Sequence, residues 1–466
     1  MPTDPSPSPL PAAVAPWAAG ALAMVAHLVI LQVFPYNFAY DGFQRWGARD
    51  HILVQSWLPF TQTLIWAVSR ISEDLLLLRL LLSVLASLGM GLWAAFAEKV
   101  GGPVAGWCVV AAATFGPFTV WSSTLYLEGP FFALLAGGLL AVAHGRTTLA
   151  DLLMGSLALV RYEGWPFVLI YVLWRAWHHR DPWVLRSLWA MGLWLLLKAG
   201  FGVQGHSASP IDYDDWEGLG QRLTPWSLAL DVGHYGKLAA RAGATVWGIG
   251  GLVVALLIRR MPKHFRPYVL LLDLLLTCQL AITVAWIAGL ETAIRRMLVL
   301  PGLLSAALLG LGLAWIWPRL PRWSLLVGSL VGLWGLGYGI WDGWDSVKDE
   351  RWQVRFELVA LEQMADCPDC VWWVEPRTGM GTRDRHDGCE AMQGLSTLLH
   401  GRELRCARWT RAADWPKAQE ECTASVIWNE AAERYDVQRG RPERPLPPPD
   451  SPLLNLQPRL NAESAR

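Results

Sequence analysis

Apolar stretches of about membrane-crossing length, separated by short polar turns, fill the first three quarters of the chain. The run from Ala12 to Phe34 is long enough to span a bilayer at roughly 1.5 Å per residue, and it predicts a first transmembrane helix. Further apolar runs centre on residues 75–96, 103–121, 125–143, 151–162, 165–177, 187–203, 241–258, 268–288, 298–317 and 323–341. That makes eleven candidate spans, several of them short, so the expected fold class is an α-helical polytopic membrane protein. Between the first two runs, Leu58, Thr61, Ile65 and Val68 recur at helical spacing and predict an amphipathic helix in the interface.

The pattern changes after Trp341. Lys348 to Met364 alternates charges with Val354, Leu358 and Leu361 as a helix does, while Val371–Val374, Leu404–Trp409 and Ser425–Trp428 read as strands. Helical stretches near 389–399 and 412–420 lie between them, and the alternation predicts a small soluble α/β domain. The chain therefore divides into a disordered head (1–11), a transmembrane domain (12–341), an extracytoplasmic α/β domain (342–438) and a Pro/Arg-rich disordered tail (439–466).

Composition supports the membrane assignment, with 53% hydrophobic residues and 29 Trp. Lys plus Arg and Asp plus Glu are equal at 39 each, which gives no reason to expect nucleic acid as a partner. Residues 1–11 carry no Lys or Arg and so lack the basic start of a secretory signal. Threading eleven spans in order puts Arg146, His178-His179-Arg180 with Arg186, Arg259–Arg266 and Arg319–Arg322 on one side, which the positive-inside rule makes cytoplasmic. The amino terminus is then cytoplasmic and the tail lies outside, in the periplasm if the membrane is a bacterial inner membrane. Five of the seven cysteines (Cys367, Cys370, Cys389, Cys406, Cys422) lie in that tail. Cys367-Pro368-Asp369-Cys370 followed by His386 and Cys389 approaches zinc-ribbon spacing, whereas an oxidising compartment favours disulfides such as Cys406 with Cys422.

Candidate chemistry gathers on the outer face. The loop after the first span holds Tyr40, Asp41, Asp50 and Trp57, where a carboxylate can take a proton from a hydroxyl while aromatic faces hold a sugar or an isoprenoid. Glu128, in the turn before Pro130, is either a second acid of a site or a first-turn helix acid; meeting Asp41, it could bracket an acceptor or bind a divalent metal. Arg161 offers a fork of donors suited to a phosphate ester, or it pairs locally with Glu163. Arg79 and Lys198 lie near the outer ends of their spans and either snorkel or contact substrate. Arg295-Arg296 place positive charge in a short outer loop, against the topology rule, and call for a compensating anion. Asp212, Asp214, Asp215 and Glu217 form an acidic run in the loop 204–240, either solvated or metal-binding.

Taken in order along residues 12–320, the outer-loop Asp41, the Trp57-Leu58-Pro59 stretch, Tyr126-Leu127-Glu128, Arg161-Tyr162-Glu163-Gly164 and Arg295-Arg296 resemble the membrane glycosyltransferases of the C-type fold. The likeness is to the branch of protein O-mannosyltransferases and lipid A aminoarabinose transferases. The resemblance implies inverting transfer of a sugar from a polyprenyl-phosphate donor to a glycan, lipid or protein acceptor at the outer face. Asp41 would then be the general base, Glu128 a second acid, and Arg161 with Arg295 or Arg296 the phosphate contacts. The family's paired acids appear here as Asp41-Gly42, which leaves Asp50 as the alternative base. This chemistry requires no cofactor beyond, at most, a divalent metal, and no Gly-rich phosphate loop is present. The alternative is a transporter or flippase of lipid-linked sugars, against which the lack of an internal repeat argues; a non-catalytic scaffold would not need Asp41.

Overall fold

The protein is described by a computed structural model over residues 14–33, 45, 49, 52–53, 58–72, 75–114, 116–123, 127–179, 182–200, 260–289, 299–319, 321, 333, 337 and 341, with the strands 371–374, 404–406, 423–429 and 434–439. It forms two compact units, Met1–Pro35 with Arg49–Val347, and Tyr36–Ala48 with Lys348–Arg466.

The first unit is helical. In chain order its α-helices are α1 (Ala15–Val33), α2 (Pro59–Ser69), α3 (Leu75–Gly101), α4 (Pro103–Val110), α5 (Gly116–Ser122), α6 (Glu128–Ala143), α7 (Thr147–Ser156), α8 (Gly164–His179), α9 (Trp189–Gly200), α10 (Arg266–Gly289) and α11 (Val299–Ile316). Short 3-10 segments, Leu157–Leu159 and Pro182–Leu188, lead into the turn before α8 and into α9. Four of these elements supply stretches long and apolar enough to cross a membrane, Ala15–Gln32, Leu76–Gly101, Arg266–Thr283 and Val299–Arg319. Shorter apolar helices lie at Glu128–Ala143, Thr147–Leu159 and Trp183–Leu197.

Helix α3 is the centre of the unit and packs against α1, α4, α6 and α11. Its apolar side chains point all round, as a helix surrounded by other helices or by lipid requires. Close crossings are made at small residues. A Cβ on Gly89 would lie 2.9 Å from the Ala133 backbone of α6, so only glycine lets these two helices approach. Trp93 in α3 buries its ring and donates its indole N–H to the Leu303 carbonyl of α11 at 3.0 Å. Stacked or edge-on rings of Trp93, Phe96, Phe118 and Phe132 fill the space between α3, α5 and α6.

The span expected at 103–121 is not one helix. Helix α4 stops at Val110, turns occupy 111–114, and α5 resumes at Gly116. The cause is Gly116-Pro117: proline has no N–H to give the preceding turn, and its ring clashes with the carbonyl one turn back. Conversely, α3 continues past the expected end at residue 96 through Glu98 and Lys99, and the chain turns at Gly102 with φ of 78° before Pro103 opens α4. The expected stripe Leu58, Thr61, Ile65 and Val68 is present on α2 and buried.

In the second unit, β1 (Val371–Val374), β2 (Leu404–Cys406), β3 (Thr423–Asn429) and β4 (Arg434–Arg439) form one sheet in the order β2-β1-β3-β4. β1 runs parallel to β2, with Trp373 opposite Arg405, and parallel to β3, with Trp373 opposite Ser425. β3 and β4 are antiparallel, with Val426 opposite Val437. Parallel neighbours need crossover connections of roughly a dozen residues or more, and 375–403 and 407–422 are long enough. The helices expected within those connections lie outside the described residues, as do the predicted spans at 241–258 and most of 323–341.

Candidate functional site

The turn that carries Arg161 is built by the sequence Leu157 to Gly164. The 3-10 segment ends at Leu159, and the N–H groups of Val160 and Arg161 close onto the Leu157 carbonyl at 3.1 and 3.2 Å. The Gly164 N–H returns to the Arg161 carbonyl at 2.9 Å. A Cβ on Gly164 would sit 2.3 Å from the Leu157 carbonyl oxygen, so no other residue fits this turn without moving backbone. Trp165 fixes the same turn by donating its indole N–H to the Ala158 carbonyl at 3.0 Å.

Three ionisable side chains meet there, all buried. Arg161 donates Nε–H to Glu163 Oε2 at 3.2 Å and Nη2–H to Glu163 Oε1 at 2.5 Å, a two-point fork on one carboxylate. Its Nη1 donates to Glu128 Oε1, across 33 residues of sequence. Glu128 is the first residue of α6, where its charge also faces the positive end of that helix. Burial by itself disfavours the charged guanidinium, and the carboxylates of Glu163 and Glu128 compensate its charge. Arg161 is thus a permanent cation that fixes two carboxylates, and the local Arg161–Glu163 pair foreseen from the sequence exists alongside a second, long-range partner.

Arg79 does not snorkel. It is fully buried in α3 and donates Nε–H to the Ser123 carbonyl at 2.9 Å, holding the end of α5 just upstream of Glu128. Lys198 lies in the last turn of α9, where the backbone alone is described. Tyr40, Asp41, Asp50, Trp57, Arg295 and Arg296 lie outside the described residues, as do the acidic run at 212–217 and the cysteine pairing of the tail. Among the described residues, Cys108 and Cys278 are free thiols and no group of three or more His, Cys, Asp or Glu is placed to hold a metal.

Two further polar clusters were not singled out from sequence. Asp151 of α7 accepts from Arg175 Nη1, from Tyr171 Oη at 3.1 Å and from Ser187 Oγ at 2.9 Å through Oδ1, while Oδ2 lies 3.3 Å from Arg186 Nη2. This single carboxylate ties α7 to α8 and to the segment Pro182–Leu188. In α1, His27 is buried, with Nδ1 3.1 Å from Ser87 Oγ of α3 and Nε2 2.7 Å from Ser122 Oγ of α5. Ser122 donates its own proton to the Phe118 carbonyl, so the His27 Nε2–H is the donor to Ser122. The signal for both clusters is an ionisable residue inside an apolar run.

No protein-family model, no curated protein and no solved structure matches the chain.

Proposed function

We propose that the chain is an integral membrane glycosyltransferase that moves a sugar from a polyprenyl-phosphate carrier to an acceptor hydroxyl at the outer face of a cell membrane. The observation that carries this reading is the buried Glu128–Arg161–Glu163 cluster. Burying three ionised groups is costly, and here two separate turns converge on one point. The order of outer-face residues described above agrees with the same reading.

In the proposed reaction Asp41, or Asp50 in its place, takes the acceptor proton. The acceptor oxygen forms its bond to the anomeric carbon on the face opposite the phosphate, and the bond from that carbon to the phosphate oxygen breaks. The phosphate leaves with the electron pair, which cationic side chains stabilise. Arg295 and Arg296 are assigned to the phosphate. Arg161, whose guanidinium already serves two carboxylates, is assigned instead to positioning Glu128, the second acid. The reading includes eleven spans, a cytoplasmic amino terminus and an extracytoplasmic α/β tail joined by the sheet β2-β1-β3-β4.

The test is reconstitution of the purified protein into liposomes with a labelled lipid-linked sugar and a soluble acceptor on one side. Sugar appearing on the acceptor supports the enzyme. Label crossing the bilayer with its carrier intact, and no transfer, would make the chain a transporter of lipid-linked sugars.

A further inference from the structure

The end of α8 remote from Arg161 carries a cationic surface that the proposed reaction does not use. It is built on the loop from Arg260 into α10. Met261 and Phe265, four residues apart in the turn, are buried, and the Phe265 N–H closes onto the Pro262 carbonyl at 3.0 Å. Arg266 donates Nε–H to the Met261 carbonyl at 2.8 Å. The loop is therefore pinned by its apolar residues, while Arg260, Lys263, His264 and Arg266 are exposed.

Trp174 fixes this loop against the last turn of α8 by donating its indole N–H to the Pro267 carbonyl at 2.8 Å. On that last turn Trp177 is 82% exposed. The same turn is flanked by Pro182–Leu188, tied down through Asp151. There Trp183 is 65% exposed and the Arg186 guanidinium lies 5.7 Å from its ring centre. Asp151 is already neutralised by Arg175, so Arg186 adds a net positive charge. Arg260 and Lys263 have no ion-pair partner among the described residues.

We propose that this surface binds the headgroups of anionic phospholipids. Exposed cations held on a rigid loop attract a phosphodiester, and large exposed indoles on the last turn of the adjoining α8 and on the segment 182–188 belong at the headgroup level of a bilayer. A soluble anion would satisfy the cations and leave the indoles without a partner. The inference needs only that the protein is embedded in a membrane; it does not depend on the glycosyltransferase reading.

The experiment is native mass spectrometry of the full chain in neutral detergent, titrated with phosphatidylglycerol or phosphatidylcholine. Phosphatidylglycerol is expected to bind at least about fivefold more tightly, and Arg260→Gln with Lys263→Gln to weaken it about 25-fold, near fivefold for each cation lost. Each single variant is expected to lose about fivefold, which keeps the test open should the pair fail to fold. Trp177→Ser is expected to weaken phosphatidylglycerol as well, and Arg70→Gln, on another exposed surface, to leave it unchanged. Equal binding of the two lipids, an unaffected double variant, or displacement of phosphatidylglycerol by equimolar inorganic phosphate would each overturn the proposal.

Discussion

Removing Arg161 should do more damage than removing its whole cluster. Arg161→Met leaves Glu128 and Glu163, both buried, without the guanidinium that bridges them. Breaking a buried ion pair by deleting one partner costs about 3–5 kcal/mol, because a charge stays behind in a poor solvent. At about 1.4 °C per kcal/mol for a unit of roughly 330 residues, from about 2.1 cal/mol/K of unfolding entropy per residue, the melting temperature should fall by about 4–7 °C. The triple variant Glu128→Gln, Arg161→Met, Glu163→Gln carries no buried charge in the cluster, so most of that loss should return. Arg161→Lys keeps the charge but loses the two-point fork, and should fall between wild type and Arg161→Met. The assay is thermal unfolding of the purified protein in neutral detergent, followed by tryptophan fluorescence and by monodisperse elution. An Arg161→Met melting point within about 2 °C of wild type, or a triple variant no better than the single one, would refute the argument from burial.

Other outcomes follow from the same geometry. Gly164→Ala forces a Cβ onto the Leu157 carbonyl and should cost at least about 1–3 kcal/mol, whereas Gly192→Ala, which meets nothing within 4 Å, should be neutral or up to about 1 kcal/mol stabilising; paired melting curves check both. Asp151→Ala strands the buried Arg175 and should cost about 3–5 kcal/mol in the same assay, while Arg186→Gln, at a half-exposed partner, should cost less than about 1 kcal/mol.

Helices α1, α10 and α11 were legible because an apolar run of membrane length leaves few alternatives, and they fall close to their expected ranges. The break between α4 and α5 was less legible, since the run 103–121 is apolar throughout and its hydropathy hides what Gly116-Pro117 does to the backbone. Three tail strands lie at expected places because alternation and β-branched residues mark them; β4 was missed because Arg434–Arg439 is polar and identifies itself only through pairing with β3. Within the site, Arg161 and Glu163 are two residues apart and their pairing could be read locally. That Glu128 joins them depends on how α6 packs beside the turn before α8, which no local pattern encodes. The same holds for Asp151 and Arg175, each an isolated charge in an apolar run until the fold brings them together.

The central claim is tested most directly by sugar transfer from a panel of polyprenyl-phosphate sugars, using purified wild type and Asp41→Asn in detergent. The account predicts transfer from at least one donor by wild type, and a fall of about a hundredfold or more for Asp41→Asn at unchanged melting temperature, as loss of a general base requires. Equal turnover by the two proteins would remove Asp41 as the base and bring Asp50 forward. Absence of transfer from every donor by folded wild type would contradict the enzyme itself.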